Sequence, residues 1–529
     1  MTSKPNDGRN IHSNRLPICM KTFLNLYSSL AAVMVGLSST SAGRAGEPAS
    51  VGIKPCDVFL TTNVWTVHLT FTPEQWQAME PKQGPRPARP FGAGSMLLGP
   101  EGGRNGILAA FGTQFEYVHA ALEFGTNRFA DVGVRYKGNG TFMTSQNSLK
   151  RSLKIGLNHF VKGQKLAGMS QLNLHNSVRD PSFMNESVAY RLFRDGGVPA
   201  SRTAYARVFV TVPGKYDRKY FGLYDLVEDV SPAFVKERFG TSKGALLKPV
   251  TPSLFSDLGD DWKNYNQTYD PKADVSDQDK QRLIAFSKIV STAGDAEFAT
   301  KLPEYVDLDH FARYMALTSW LCDLDGILGV GQNYYLWLHP ETRKFLFIAW
   351  DQDQTFGQFP RGSTEEQREN LSIQKPWSGP NRFLERVFQT DAFKKAYLAR
   401  LQEFNGSILK PDRLSRQVDE LAAVLRAPVG EESPERLAEL NQAVAGEKVT
   451  TYLGPVAFGS QLVKPIKSFA VARAQSVTDQ LAGKSQGETL SSGFGPPGGR
   501  PFPRQGRPPE AGSPPPQGPR PAEPPPNRE

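Results

Sequence analysis

Asp323, Asp325, Asn333, Asp351 and Asp353 stand within one short stretch of the chain. Carboxylates and an amide oxygen are hard ligands, suited to Mg²⁺ or Mn²⁺ rather than to zinc. The stretch "NYYLWLHPETRKFLFIAWDQDQTFG", residues 333–357, shows how they meet. Two apolar runs flank a turn and read as a β-hairpin, which sets the start of one strand beside the end of its partner. Asn333 and Asp351 are therefore expected as neighbours, and Asp325, a few residues upstream, can fold back onto them. Asp353 shares the pleat face of Asp351 if the strand continues, and otherwise belongs to a turn. Buried like charges cost several kcal/mol unless something positive compensates them. A divalent ion carrying a phosphate ligand would do so. A lone Asp after a strand is usually a turn cap, but four acids and an Asn converging on one hairpin point to a metal site at Asn333, Asp351 and Asp353.

A second set lies upstream. "VGVRYKGNGTF" ends in Gly138, Asn139 and Gly140. Two glycines after a strand can present backbone N–H groups to an anion; the same tripeptide also makes an ordinary hairpin turn. The third glycine of a GxGxxG pattern is missing, because Met143 stands there. In "SLKRSLKIGL" that follows, alternation puts Lys150, Ser152 and Lys154 on one face. A lysine pointing from a sheet toward a glycine turn suits phosphate binding. Glu186, in the next helix, either pairs with one of these lysines or is a solvated first-turn acid favoured by the helix dipole.

Other chemistries fit poorly. The 7 histidines are dispersed without an HExxH or HxH pair, and the 3 cysteines, Cys19, Cys56 and Cys322, form no CxxC, so neither a zinc site nor a disulfide framework is expected. "GTSKG" matches GxSxG, but it follows a helical pattern and precedes an apolar run, the reverse of a nucleophile elbow. A net charge of +9 is spread without a basic stripe, which argues against nucleic acid as a partner.

The elements that must position these residues follow a simple order. "FEYVHAALEFG" and "DVGVRYKG" read as strands. Asp180 and Pro181 suit the start of a helix carrying Met184, Val188 and Leu192 at helical spacing, with Gly196 and Gly197 at its stop. Residues 206–212 and 220–227 form a hairpin, and a mainly helical half runs from about residue 278 to 484. The expected fold class is α+β, a β-rich first part at about residues 50–230 and a helical second part at about 231–485, with a cleft between two lobes. Residues 1–45 read as an export signal, with Met20 as an alternative start: Lys21, an apolar run too short for the ~20 residues of a bilayer span, then small residues. Residues 486–529 are rich in Pro and Gly and read as a disordered tail.

Several blocks, taken together and in order, resemble the CotH-like kinases, a family named for a bacterial spore-coat protein. They are "GVRYKGNGTF…KRSLKIGLNHF", "LNLHNSVRDPSFMNESVAYRLFRDGGVPASRTAYARVFV", "YFGLYDLVEDV" and "NYYLW…FIAWDQDQTFG". The resemblance covers about residues 115–400. It implies a two-lobed atypical protein-kinase-like fold that binds ATP with a divalent metal and phosphorylates serine-type hydroxyls, here of an exported protein. By that likeness Asp325 is the catalytic base, and Asn333 and Asp351 hold metal, Asp351 in the part of a DFG aspartate. Lys154, or else Lys150, contacts phosphates and is oriented by Glu186, and Glu228 touches the nucleotide. The sequence departs from the family where Asn-Trp-Asp is usual and "CDLDG" stands, which makes Asp323 a rival to Asp325. There is no H-R-D triplet. Two other readings use the same residues: a metal-dependent phosphoesterase, and a non-catalytic envelope or coat assembly protein, since ATP is scarce outside the cytoplasm.

Overall fold

The computed structural model describes residues 54–85, 97–452 and 459–491. The export-signal segment, the Pro/Gly-rich tail and the middle of the upstream Pro/Gly loop lie outside the described residues. No helix among the described residues is long and apolar enough to cross a membrane.

The chain is mixed α+β. Its first part builds a closed barrel of seven strands: β1 Val64–Thr70, β2 Val118–Phe124, β3 Asn127–Tyr136, β4 Leu153–Gly156, β5 Gln171–His175, β6 Thr203–Val212 and β7 Tyr216–Val227. Their spatial order is β1-β2-β3-β4-β5-β7-β6, with β1 closing onto β6 in parallel and the other pairs antiparallel. Alternation decides what each face touches. Ala204, Ala206, Val208 and Val210 of β6 join one apolar core with Val132, Val134, Ile155 and Leu174. Tyr205, between two of them, joins a second core instead, and its hydroxyl donates to the Phe183 carbonyl. That second core fills the helical part around a three-stranded sheet of β8 Ala245–Leu247, β9 Tyr334–Leu338 and β10 Phe345–Ala349.

Three local expectations shift. The helix runs over Asn185–Asp195, so Asp180 does not sit at its N-cap. Phe183 lies at φ 60°, a left-handed residue that blocks an earlier start. Asp180 reaches across instead: its carboxylate accepts from the N–H groups of Ser182 and Asn185, both at 2.8 Å. The 138–140 turn does not join two strands; it leads from β3 into a short helix, Gly140–Ser145. Finally, the extended strand expected around residue 150 begins only at Leu153, so Lys150 and Lys154 do not share a pleat face.

Candidate functional site

The β9–β10 hairpin delivers its two ends together. Tyr334 pairs with Ala349, and the Trp350 N–H donates to the Asn333 carbonyl at 3.1 Å. Asn333 and Asp351 both turn into the left-handed region, at φ 61° and 56°, a conformation Asn and Asp adopt more readily than other L-residues. The turn takes both side chains off the pleat. Asn333 Nδ2 donates to Asp325 Oδ2 at 3.1 Å, while Gln332 Nε2 donates to Asp325 Oδ1 at 3.0 Å. The Asp351 N–H donates to the Tyr190 hydroxyl at 2.8 Å, tying the hairpin to the Asn185–Asp195 helix. Asp353 follows, its carbonyl accepting from Asn185 Nδ2 at 2.8 Å and its carboxyl within electrostatic reach of Asp351, Glu186, Asp325 and Arg179.

The two rival acids separate clearly. Asp323 is 2% exposed and is occupied locally: Gln352 Nε2 donates to it at 3.3 Å, and a Cβ on Gly326 would stand 2.3 Å from its Oδ2. Asp325 is half-buried and opens toward Arg179 and Arg361. Of the two, Asp325 is the more exposed, and both of its carboxylate oxygens are held, by Gln332 and Asn333.

Cations oppose the acids. Lys137, just after β3, contacts His175 Nε2, and His175 Nδ1 lies 2.5 Å from Glu186. Burial drives the histidine well below its ordinary pKa, with Lys137 adding to the effect. A neutral ring then donates from Nδ1 to Glu186 and accepts from Lys137 at Nε2. Glu186 is also held by the Gln352 N–H at 3.3 Å. His175, Glu186 and Asp351 each offer a ligand atom, and these lie within 4.8 Å of one another. Lys248 sits above the rings of Tyr335 and Trp350, and Lys137 above Trp350 at 5.3 Å from its centroid. Lys154 reaches Asp229 at 3.1 Å, an acid shared with Asn173 Nδ2.

Charge is unbalanced on both sides at once. Burial and then Asp325 raise Asp323 to about 8, and burial and then Asp351 raise Asp325 to about 7. Glu186 and Asp353 are raised by burial and by Asp351. Opposite them, burial and then Lys272 lower Lys248 to about 8, while burial, followed by the crowding of Lys154 and Lys248, lowers Lys137 even though Asp351 pulls it upward. The charges already present leave Asp323, Asp325, Glu186 and Asp353 raised and Lys137 and Lys248 lowered, so burial is not fully compensated for either set. Gln352 Oε1 and Asn185 Oδ1, both buried beside the acids, have no partner among the described residues. Hard oxygen donors on one side and ammonium groups on the other fit a divalent ion bridged to a phosphate chain.

Not every residue singled out in the sequence gathers here. Asp325, Asn333, Asp351, Asp353 and Glu186 do, with Lys154 alongside. The turn at Gly138, Asn139 and Gly140 borders the site through Arg179: a Cβ on Gly140 would stand 2.6 Å from that guanidinium, whose charge neighbours are Asp353, Asp325 and Asp351. Lys150 is turned elsewhere, bound by both oxygens of Glu432 at 2.7 and 2.6 Å. Its strong electrostatic neighbours are Glu432, Arg436 and Asp225, none of them in the acid cluster. Glu186 is oriented with His175 and Lys137, not with Lys150. Glu228 is engaged by Arg202 and Arg238, and it lines a cavity of about 290 Å³ with Asp229, Gln171 and Phe234. Sequence reading missed Lys137, His175, Arg179 and Lys248. The first directly precedes the glycine turn, and the next two stand in "LNLHNSVRD"; Lys248 carries no local signal.

Residues 134–476 match the family model described as CotH kinase protein. The chain is also 25% identical over 277 residues to the inner spore coat protein H of Bacillus subtilis (strain 168), an alignment that covers 52% of this chain and 70% of that protein.

Proposed function

The chain belongs to the CotH kinase protein family, and from that premise we propose that it is an exported, ATP- and divalent-metal-dependent protein kinase acting on a serine-type hydroxyl. In this reading the barrel and the helical part are the two lobes. The observation that carries it is the gathering of buried acids at the β9–β10 hairpin, with Asp325 pushed toward its neutral form, beside two buried lysines, Lys137 and Lys248, pushed toward theirs.

Each residue then has a task. Asp325, steadied at both oxygens by Gln332 and Asn333, accepts the proton of the incoming hydroxyl. Asn333, Asp351 and Asp353 would hold the cation, with Glu186 and His175 beside Asp351. A divalent ion bound there supplies neutralisation of the phosphate charge, of either Mg²⁺ or Mn²⁺ kind. Lys154, Lys137 and Lys248 bind the phosphates, a step that needs positioning and charge more than covalent chemistry.

The test is incubation of the purified protein with γ-labelled ATP and Mn²⁺, followed by mapping of the modified residue. Labelling of a protein hydroxyl that disappears in Asp351→Ala is the expected result; labelling that persists in that variant removes Asp351 from the site. A second reading, an assembly protein with a kinase-like pocket, is favoured by the relative's being a spore coat protein. Absence of both labelling and any melting shift with millimolar Mn²⁺ and ATP would select it. Phosphate release without a protein acceptor would select a phosphoesterase.

A further inference from the structure

The segment 97–106 precedes the part of the chain that matches the family model, and it contacts both the glycine turn and the Lys263–Tyr269 helix. It closes on itself: the Gly106 N–H donates to the Leu97 carbonyl at 2.6 Å, and the Gly99 N–H donates to Asn105 Oδ1 at 3.1 Å. One side grips the glycine turn. Arg104 Nη1 donates to the Gly138 carbonyl at 3.1 Å, and Nη2 to Asn139 Oδ1 at 2.7 Å. Gly106 abuts the same asparagine so closely that a Cβ would stand 2.2 Å from Asn139 Nδ2. Arg104 itself is fixed by stacking 4.5 Å above the Phe115 ring.

The other side grips the Lys263–Tyr269 helix. Asn105 Nδ2 donates to the Gln267 carbonyl at 2.8 Å, Gln267 Nε2 donates to Asn105 Oδ1 at 2.6 Å, and the Gly102 N–H donates to Gln267 Oε1 at 3.0 Å. That helix ends where the Tyr269 carbonyl accepts from the N–H of Lys248, one of the site's lysines. Leu97 packs on the helical core and Leu108 on the barrel core, so the segment is anchored at both ends.

We propose that segment 97–106 is a strap that holds the glycine turn in register with the lysines of the site, and that Arg104 is its positioning residue. This rests on the phosphate-binding reading above. The Asn139 and Gly140 carbonyls accept from Met143 and Thr144, and Arg104 occupies two further acceptor oxygens of the turn, Gly138 O and Asn139 Oδ1. Left free, these negative dipole ends would oppose a phosphate. A bidentate, charge-assisted contact does this in one fixed geometry. Through Gln267 the same strap ties the turn to the Lys263–Tyr269 helix, whose last carbonyl accepts from the Lys248 N–H, so turn and lysine keep a constant spacing.

The test uses the full chain and two variants, Arg104→Ala on the turn side and Gln267→Ala on the helix side. In Arg104→Ala, amide exchange over residues 138–144 should rise about tenfold or more, as loss of charge-assisted hydrogen bonds implies, while residues 132–134 of β3 exchange as before. The KM for ATP with Mn²⁺ should rise about tenfold with kcat changing less than about threefold, and Arg104→Lys, which can reach one acceptor, should recover part of the loss. Gln267→Ala should move exchange in the same direction, and it decides the matter alone if Arg104→Ala fails to fold. Unchanged exchange over 138–144 overturns the strap, whether or not the protein phosphorylates anything. A wild-type chain that neither binds nor uses ATP overturns the kinase reading, and the exchange result still judges the strap.

Discussion

By sequence Lys154, or else Lys150, is the phosphate ligand, and the structure makes the two testably different. The perturbation is a double-mutant cycle on Lys150 and Glu432. Lys150 is 9% exposed, and burial lowers its pKa to about 8 against the pull of Glu432. Glu432 is bound by both contacts from Lys150 and by the Leu223 N–H at 2.9 Å. Lys150→Met leaves a buried carboxylate without its cation, which costs roughly 3–5 kcal/mol. With an unfolding entropy of about 2.1 cal/mol/K per residue over roughly 400 folded residues, that is a fall in Tm of about 4–6 °C. Glu432→Gln alone strands the ammonium and should cost a similar amount. The double variant removes both charges and should recover most of the loss, because a buried ion pair replaced by neutral groups is often close to neutral. Calorimetry at pH 7 reads the coupling, expected at about 2 kcal/mol or more, and the coupling should shrink above pH 8 as Lys150 gives up its proton. Crucially, the double variant should keep the melting shift produced by Mn²⁺ and ATP, whereas Lys154→Met should lose it. A coupling below about 0.5 kcal/mol, or loss of nucleotide response in the double variant, would refute the assignment of Lys150 to structure.

Three further outcomes follow from the same geometry. Asp325→Asn should abolish labelling yet raise Tm in EDTA at pH 7.5. An acid whose pKa is raised in the folded state destabilises as pH climbs from its ordinary 3.8 to about 7, and the amide removes that loss, so the gain should vanish near pH 4 when melting is repeated there. His310, buried with Nε2 2.8 Å from the Phe347 carbonyl, is held below its ordinary 6.5 by burial; the unfolded chain takes up its proton first, so stability should fall as pH drops below 6.5, and His310→Gln should flatten that fall in a pH series of urea melts. Gly331→Ala should cost about 2 kcal/mol or more in the same melts, because Gly331 lies at φ 79° and a Cβ would stand 2.2 Å from the Thr251 carbonyl oxygen.

The sequence by itself determined what short-range periodicity and turn chemistry control. The hairpin carrying Asn333 and Asp351 was legible because strand alternation and one turn bring its ends together. The helical character of the second part, which contains the Leu308–Trp320 helix leading to the acids, was legible as well. The oxygen-rich character of the site needed only residue types. What tertiary structure alone decided was which of several equivalent charges turn inward. Lys150 and Lys154 look interchangeable along a strand, yet Glu432, 282 residues later, claims the first and Asp229 the second. Asp323 and Asp325 part company only in the fold, where Gly326 and Gln352 close over the first while Gln332, Asn333 and the arginines Arg179 and Arg361 surround the second. Lys137, His175 and Lys248 converge from separate elements, and Arg104 arrives from a segment with no visible motif. A charge's role depends on the partners within a few ångströms, because electrostatic and desolvation energies act through space and at short range. Partners distant in sequence leave no periodic mark by which a linear reading could find them.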